Sequence, residues 1–390
     1  MEVKKFWLSD MEALLGVVLV LVILGIINVF SSSFVLSEND YGTPYHFLVR
    51  HFFNLFLGLC FLIAGAVIDY HNWRRAARPL FLLTAVLLVL VLLFGATING
   101  AKRWLNLVFF QIQPAEIAKL VTIMLSASYL SFCLKRKKEP QLFTRSMIMV
   151  LILGGLVEAE PDMGTSLIVV GVPVMLIFLA GKPLRKAVPL LVCGFSAIAA
   201  LCVVQPYRMR RIMVMLDPWS DVSNVGYQSV QSMSAIGSGG LWGMGLGVGV
   251  SKYAYLPEAH TDFAFAIFSQ ENGFLGAVFV FILYAALAYY IARIAGKAAD
   301  AYGHLLASGI MILLVGQAIA NMLMVGGILP VVGVPLPFIS YGGTSLLVSM
   351  AAVGILLNIG RQGRQHLPQE KKEKATKKEF AAKRRLRLVK

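Results

Sequence analysis

The chain has 390 residues, of which 58% are hydrophobic and 14% charged, and its mean hydropathy is +0.75. A soluble domain carries roughly 25% charged residues, so a single soluble globule is excluded and a polytopic membrane protein is indicated. The four cysteines, Cys60, Cys133, Cys193 and Cys202, are scattered in or beside apolar segments without CxxC or Cys/His spacing, which excludes a disulfide framework or zinc knuckle, and the formal charge of +15 is explained below by its placement.

Apolar runs of spanning length fall at about 12–30, 47–69, 79–97, 116–134, 146–159, 163–180, 187–204, 263–292, 305–325 and 340–359. They predict an all-α polytopic membrane protein of about ten transmembrane helices, the fifth of them short. The first run is long enough to span and lacks a small-residue cleavage site, so no cleavable leader is expected. Residues 1–359 read as one transmembrane domain and 360–390 as a basic tail.

Most of the 35 basic residues sit in alternate connections. Lys4 and Lys5 precede the first run; Arg74, Arg75 and Arg78 follow the second; Lys135, Arg136, Lys137, Lys138 and Arg145 follow the fourth. Lys182, Arg185 and Lys186 follow the sixth, Arg293 and Lys297 the eighth, and the tail holds the rest. The opposite side has only Lys102, Arg103, Arg208, Arg210, Arg211 and Lys252, with Arg50 and Lys119 at helix starts. The positive-inside bias places both termini in the cytoplasm, with the tail lying on an anionic leaflet or disordered. The charge therefore implies a membrane surface and no nucleic acid.

Four outer stretches are polar or broken. INGAKRWLNLVFFQIQPAEIAKL (98–120) alternates polar clusters with aromatics and reads as an interfacial segment, with Glu116 and Lys119 three apart on one helix face. EAEPDMGTS (158–166) breaks two helices around Pro161 and presents Asp162. The long connection 205–262 carries Gly237, Gly239, Gly240, Gly243, Gly245, Gly247 and Gly249, which permit close approach to a ligand or another helix, together with Trp219, Tyr227, Gln228, Gln231 and Trp242. It ends in LPEAHTDF (256–263), where Glu258, His260 and Asp262 crowd onto the mouth of an apolar run. ILPVVGVPLPFISYGGTS (328–345) holds Pro330, Pro335 and Pro337 and then Gly342 and Gly343. Broken backbone at membrane depth is tolerated where it is buried in protein or lines a cavity, so four such stretches predict one shared outer cavity.

Each polar residue has two readings. A carboxylate at the bilayer boundary is a functional candidate because unpaired burial costs several kcal/mol, while Glu258 and Asp262 also suit a solvated loop end and a helix N-cap. Glu116 and Lys119 suit a substrate or each other, Asp162 suits catalysis or an N-cap, and His260 orients Asp262 or caps the loop. Arg208, Arg210 and Arg211 at an outer interface suit lipid headgroups, and Ser340 and Tyr341 suit a cavity wall.

GAKRWL (100–105), QPAEIAK (113–119), PDMGTS (161–166), YRMRRIMVMLDPW with GYQSVQSMSAIGSGG, LPEAHTDF and PLPFISYGGTS (335–345) stand in an order that resembles the SEDS family of shape, elongation, division and sporulation proteins, with members FtsW, RodA and SpoVE. The resemblance spans nearly the whole chain. LPEAHTDF is more like the division member, FtsW, whereas SQENG (269–273) departs from the family's commoner acidic, Leu-rich ending.

The resemblance implies a peptidoglycan glycosyltransferase of the bacterial cytoplasmic membrane that polymerises lipid II on its outer face. It also implies a class B penicillin-binding protein (a transpeptidase) and other divisome or elongasome proteins as partners. The family's catalytic Asp carries over to Asp262. Inverting transfer needs a base for the acceptor 4-hydroxyl, and pyrophosphate leaves well enough that charge neutralisation replaces a general acid. Candidate substrate contacts are Arg50, Lys102, Arg103, Glu116, Lys119, Asp162, Arg208, Arg211, Gln228, Gln231, Glu258, His260, Ser340 and Tyr341. No cofactor is required by this reading, although a divalent cation such as Mg2+ or Mn2+ on Glu116, Asp162 and Asp262 would assist the leaving group. The rival readings are a lipid II flippase and a scaffold without activity.

Overall fold

A computed structural model describes residues 9–387 apart from 99–100, 107–110, 142–143, 187, 190–191, 193, 195, 197–202, 204–205, 223–225 and 253–255. Ser9 caps the first helix by accepting from the Glu12 amide, and α1 (Asp10–Tyr41) runs to a left-handed Gly42. α2 (His46–Val67) and α3 (Tyr70–Phe94) follow, the latter capped by Asp69. The third helix thus starts before its apolar run at 79: Tyr70 to Arg78 form its polar first turns.

Three short strands make a small antiparallel sheet where an interfacial segment was expected. Its strands β1 (Ala96–Ile98), β2 (Ala101–Asn106) and β3 (Gln111–Ile112) lie in that order. Thr97 faces Lys102 and Leu105 faces Ile112. Pairing satisfies backbone groups that no helix covers here.

α4 (Pro114–Lys135) begins with proline at its first turn, where no amide donor is needed. It is the central helix, with Glu116, Lys119, Thr122, Ser126 and Ser131 all buried. α5 (Arg145–Ala159) and α6 (Met163–Leu179) pack beside it. The predicted seventh helix, 187–204, lies largely outside the described residues. The connection 205–262 is a chain of short helices rather than a loop: α7 (Pro206–Leu216), a 3-10 turn (Pro218–Asp221), α8 (Tyr227–Ser238) and a second 3-10 turn (Val250–Lys252).

α9 (Ala264–Gly296) is long and broken at Gly273, where φ is +66° and ψ is −168°. α10 (Ala301–Met311) passes through a π turn (Ile312–Gly316) into α11 (Gln317–Val325). α12 (Gly343–Arg387) packs along α2, where a Cβ on Gly354 would stand 2.2 Å from the Leu62 carbonyl. Its backbone remains helical far past residue 360. Ala, Glu, Lys and Arg dominate that stretch and are good helix formers.

Among the described residues, seven helices are long and apolar enough to cross a membrane. α1, α3 and the α10–α11 span run one way and α2, α4, α9 and α12 the other, so the starts of α2, α4, α9 and α12 gather at one end with the ends of α1, α3 and α11. The basic connections lie at the other end.

Candidate active site

At the first end, the break in α9 sets the frame. Breaking a helix frees carbonyls before the break and amides after it, and in a span these must find partners. The Gly-rich segment supplies them. Met244 and Gly245 donate to the Gln270 and Glu271 carbonyls at 3.0 Å each, while the Phe274 and Leu275 amides donate to Gly240 and Leu241 at 2.9 and 3.3 Å. A Cβ on Gly243 would lie 2.2 Å from the Glu271 carbonyl and one on Gly273 would lie 2.3 Å from the Gly243 nitrogen, so only glycine fits at either. Beneath this bracket the buried Lys252 pairs with Glu271 at 3.1 Å, and Ser31 of α1 donates to the same carboxylate at 2.6 Å.

The short arm of α9 starts immediately after Asp262. Glu258, left-handed at φ +55°, turns the chain: its carbonyl accepts from Thr261 and Phe263, and its carboxylate accepts from the Thr261 hydroxyl at 2.7 Å. His260 is wedged between the rings of Phe47 and Tyr341, and its carbonyl accepts from the Tyr341 amide at 2.8 Å. Burial holds its imidazole below the ordinary range, against the opposing pull of Glu258. The environment favours an aromatic wedge over a charged group.

Asp262 is half-buried, and no described residue hydrogen-bonds its carboxylate. Gly333 lies against it: a Cβ there would stand 3.2 Å from Oδ2. Burial, then the carboxylates of Glu258 and Asp162, push its pKa up to about 7; Arg103 opposes them and Glu116 adds a smaller push. A carboxylate titrating near neutrality with free lone pairs suits a general base.

Glu116, Asp162 and Arg103 are therefore close enough to act on Asp262. Lys119 donates to Glu116 at 2.6 Å and to Gln317 at 2.9 Å, both fully buried. Asp162 caps α6 through the Thr165 amide at 3.1 Å and accepts from Gln113 at 3.3 Å. Arg103 donates to the carbonyls of Glu160 and Pro161. Arg50 lies near enough to the Tyr341 phenol to oppose the upward push of burial on it, and Ser340 accepts from the Leu336 amide at 2.9 Å, shaping the wall. Lys102 is exposed on β2.

Other candidates are drawn elsewhere. Arg208 is buried in an ion pair with Glu158 of α5. Arg211 donates to the Val331 carbonyl. Gln228 and Gln231 are half-buried on α8, and no described hydrogen bond joins them to the Asp262 turn. A metal set of Glu116, Asp162 and Asp262 is not assembled: among the described residues no three His, Cys, Asp or Glu side chains are grouped for an ion, and Glu116 and Asp162 already have partners.

Three groups here escaped the sequence reading. Glu160 is buried with both carboxyl oxygens unpartnered, and burial, then Asp162, push it up to about 8 against Arg103. Gln317 and Asn321 lie four apart on an otherwise apolar helix, a spacing that puts both amides on one face and signals a shared task.

The chain was then compared with known proteins. The model of the FtsW, RodA and SpoVE family, described as a cell cycle protein, matches residues 11–365. A probable peptidoglycan glycosyltransferase FtsW of Thiomicrospira cyclica is 39% identical over 366 residues, covering 92% of this chain and 94% of that one. The stage V sporulation protein E of Bacillus subtilis is 37% identical over 354 residues, covering 89% and 96%. A chain of a solved peptidoglycan synthase complex, in which polymerization and crosslinking are coordinated, superposes with a TM-score of 0.75 at 28% identity, covering 92% and 100%. Family match, relatives and fold agree over nearly the full length: this chain belongs to the FtsW, RodA and SpoVE family.

Proposed function

We propose that the chain is a peptidoglycan glycosyltransferase that polymerises lipid II, with Asp262 as general base. The observation that carries the assignment is an open, half-buried carboxylate titrating near neutrality at the start of a broken helix. Asp262 removes the proton from the acceptor sugar's 4-hydroxyl as its oxygen attacks the donor anomeric carbon. The bond to undecaprenyl pyrophosphate breaks and the leaving group departs with the electron pair, which inverts the anomeric centre. Arg103, held beside Asp262 by its two carbonyl contacts, is the cation best placed to offset charge on the pyrophosphate, and Lys102 and Arg50 extend that positive rim. Since the proposed metal ligands are not assembled, no step is routed through an ion.

The basic connections support a reading in which the opposite end faces the cytoplasm, with both termini inside and Asp262 outside. The synthase complex supports a class B penicillin-binding protein as the partner that cross-links the strand. The identities of 39% to an FtsW and 37% to a sporulation protein stand close together, so the choice between division and sporulation rests on the LPEAHTDF motif, which favours division.

The test is polymerisation of labelled lipid II by the purified complex with its penicillin-binding protein. Wild type forms glycan strands and Asp262→Asn, equally folded, forms none. Strands from both proteins remove Asp262 as base; lipid II movement in liposomes without strands from either transfers the chain to the flippase class.

A further inference from the structure

Irregular backbone at the depth of a membrane span must be held by its surroundings, and residues 329–336, between α11 and α12, form no regular structure. Arg211 holds the Val331 carbonyl and Met324 of α11 accepts from the Val332 amide, and two amide side chains of α11 hold the rest. Asn321 has no solvent exposure, and its amide nitrogen donates at 2.7 Å both to the Asp262 carbonyl and to the Val334 carbonyl. One amide group has two N–H donors, and here each has an acceptor on a different segment. One turn earlier, Gln317 donates to the Pro335 carbonyl at 2.8 Å and accepts from Lys119 at 2.9 Å.

The π turn at Ile312–Gly316 sets this geometry. An extra residue in a helical turn rotates all that follows by about 100°, and such turns concentrate at functional sites. Gln317 is the first residue after it and Asn321 lies one turn further on, and their amides reach the Pro335 carbonyl and the Asp262 and Val334 carbonyls. The segment they hold carries Gly333, the wall against Asp262 Oδ2.

We propose that Asn321 is a positioning residue for glycosyl transfer: it clasps the Asp262 turn to the Gly333 wall and fixes the depth of the carboxylate, while Gln317 ties the same wall to Lys119. The inference rests on Asp262 being the base. The charged groups that face Asp262 come from its own turn (Glu258, with His260 beside it), from the start of α6 (Asp162), from β2 (Arg103) and from α4 (Glu116). α11 presents it with amides only. Opening the clasp therefore admits water without removing a charge, and because burial is the leading cause of the raised pKa, the carboxyl then titrates lower.

The experiment measures polymerisation by the full chain in its complex across about pH 5.5 to 8.5. It compares wild type, Asn321→Leu, Asn321→Ser, Gln317→Leu and Asp262→Asn, with folding checked by thermal unfolding. Asn321→Leu keeps the side-chain shape without the donors. It is expected to lower kcat about 100-fold with KM within about twofold, and to move the acid limb of the pH profile down by about one unit. Asn321→Ser, with one donor left, is expected to fall between it and wild type, and it carries the test if the leucine variant does not fold. Gln317→Leu lowers kcat less and leaves the limb in place.

A folded Asn321 variant with wild-type kcat, or one that loses activity with the acid limb unmoved, overturns the inference. If at the same time Asp262→Asn is inactive, the base assignment survives that failure. Strand synthesis by Asp262→Asn overturns both.

Discussion

Residue chemistry at the site has a measurable cost in stability. Burial and neighbouring carboxylates push the Asp262 carboxyl up to about 7 in the folded chain from its ordinary value of 3.8, and Glu160 up to about 8 from 4.5. As pH rises past the unfolded value, the unfolded chain releases its proton while the folded chain keeps it. The folded state thus binds more protons, and stability falls with pH until each folded pKa is passed. Asp262→Asn is therefore expected to be more stable than wild type near pH 8.5 by about 2 kcal/mol, less than the full shift because water reaches the carboxylate. The advantage vanishes toward pH 4. Glu160→Gln follows the same sign with its window one unit higher. Thermal unfolding in detergent at both ends of the range checks this, and an Asn variant less stable at high pH contradicts it. Asp262 and its acidic neighbours were legible in sequence because charge is rare in this chain. Glu160 was not, because EAEPDMGTS offers three carboxylates and only packing decides which is left without a partner.

The broken α9 and its bracket act as one element. Gly243→Ala or Gly273→Ala drives a methyl into backbone and imposes a left-handed φ on a residue with a side chain, with an expected loss of about 2–4 kcal/mol. Removing one member of the buried pair beneath, as in Lys252→Met, strands the Glu271 charge and costs about 3–5 kcal/mol. The double change Lys252→Met with Glu271→Leu recovers most of that. Chemical or thermal unfolding of wild type, the two single variants and the double variant measures the coupling; additivity of the two single changes refutes it. Sequence marked the glycines as points of close approach, and the approach is to another helix. It did not reveal the break, since SQENG lies inside a continuous apolar run. The Gly-rich stretch read as a long loop because its helices, α7 and α8, are short and contain serine, glycine and arginine. The mixture 98–112 read as interfacial because alternation in a strand and an amphipathic surface segment look alike over a few residues.

At the scale of the whole molecule, the spans were largely legible because hydropathy reports the bilayer directly, while their ends were set by capping and by polar first turns. The charge asymmetry separates two ends with different tasks: one builds the Asp262 site, the other carries the basic connections and the helical extension of α12. Truncation after His366 removes only that extension, so polymerisation in detergent is expected to stay within about twofold of wild type. Binding of the extension as a peptide to anionic vesicles should weaken steeply with salt. Loss of strand synthesis on truncation contradicts this separation. The bracket also bears on how such chains can be recombined. Residues 239–249 and 270–275 complete each other's hydrogen bonds through glycines that leave no slack, so they are inherited as one unit despite the Asp262 turn between them. In a library shuffled between relatives, surviving clones should show crossovers depleted between 249 and 270 and frequent on either side of that block.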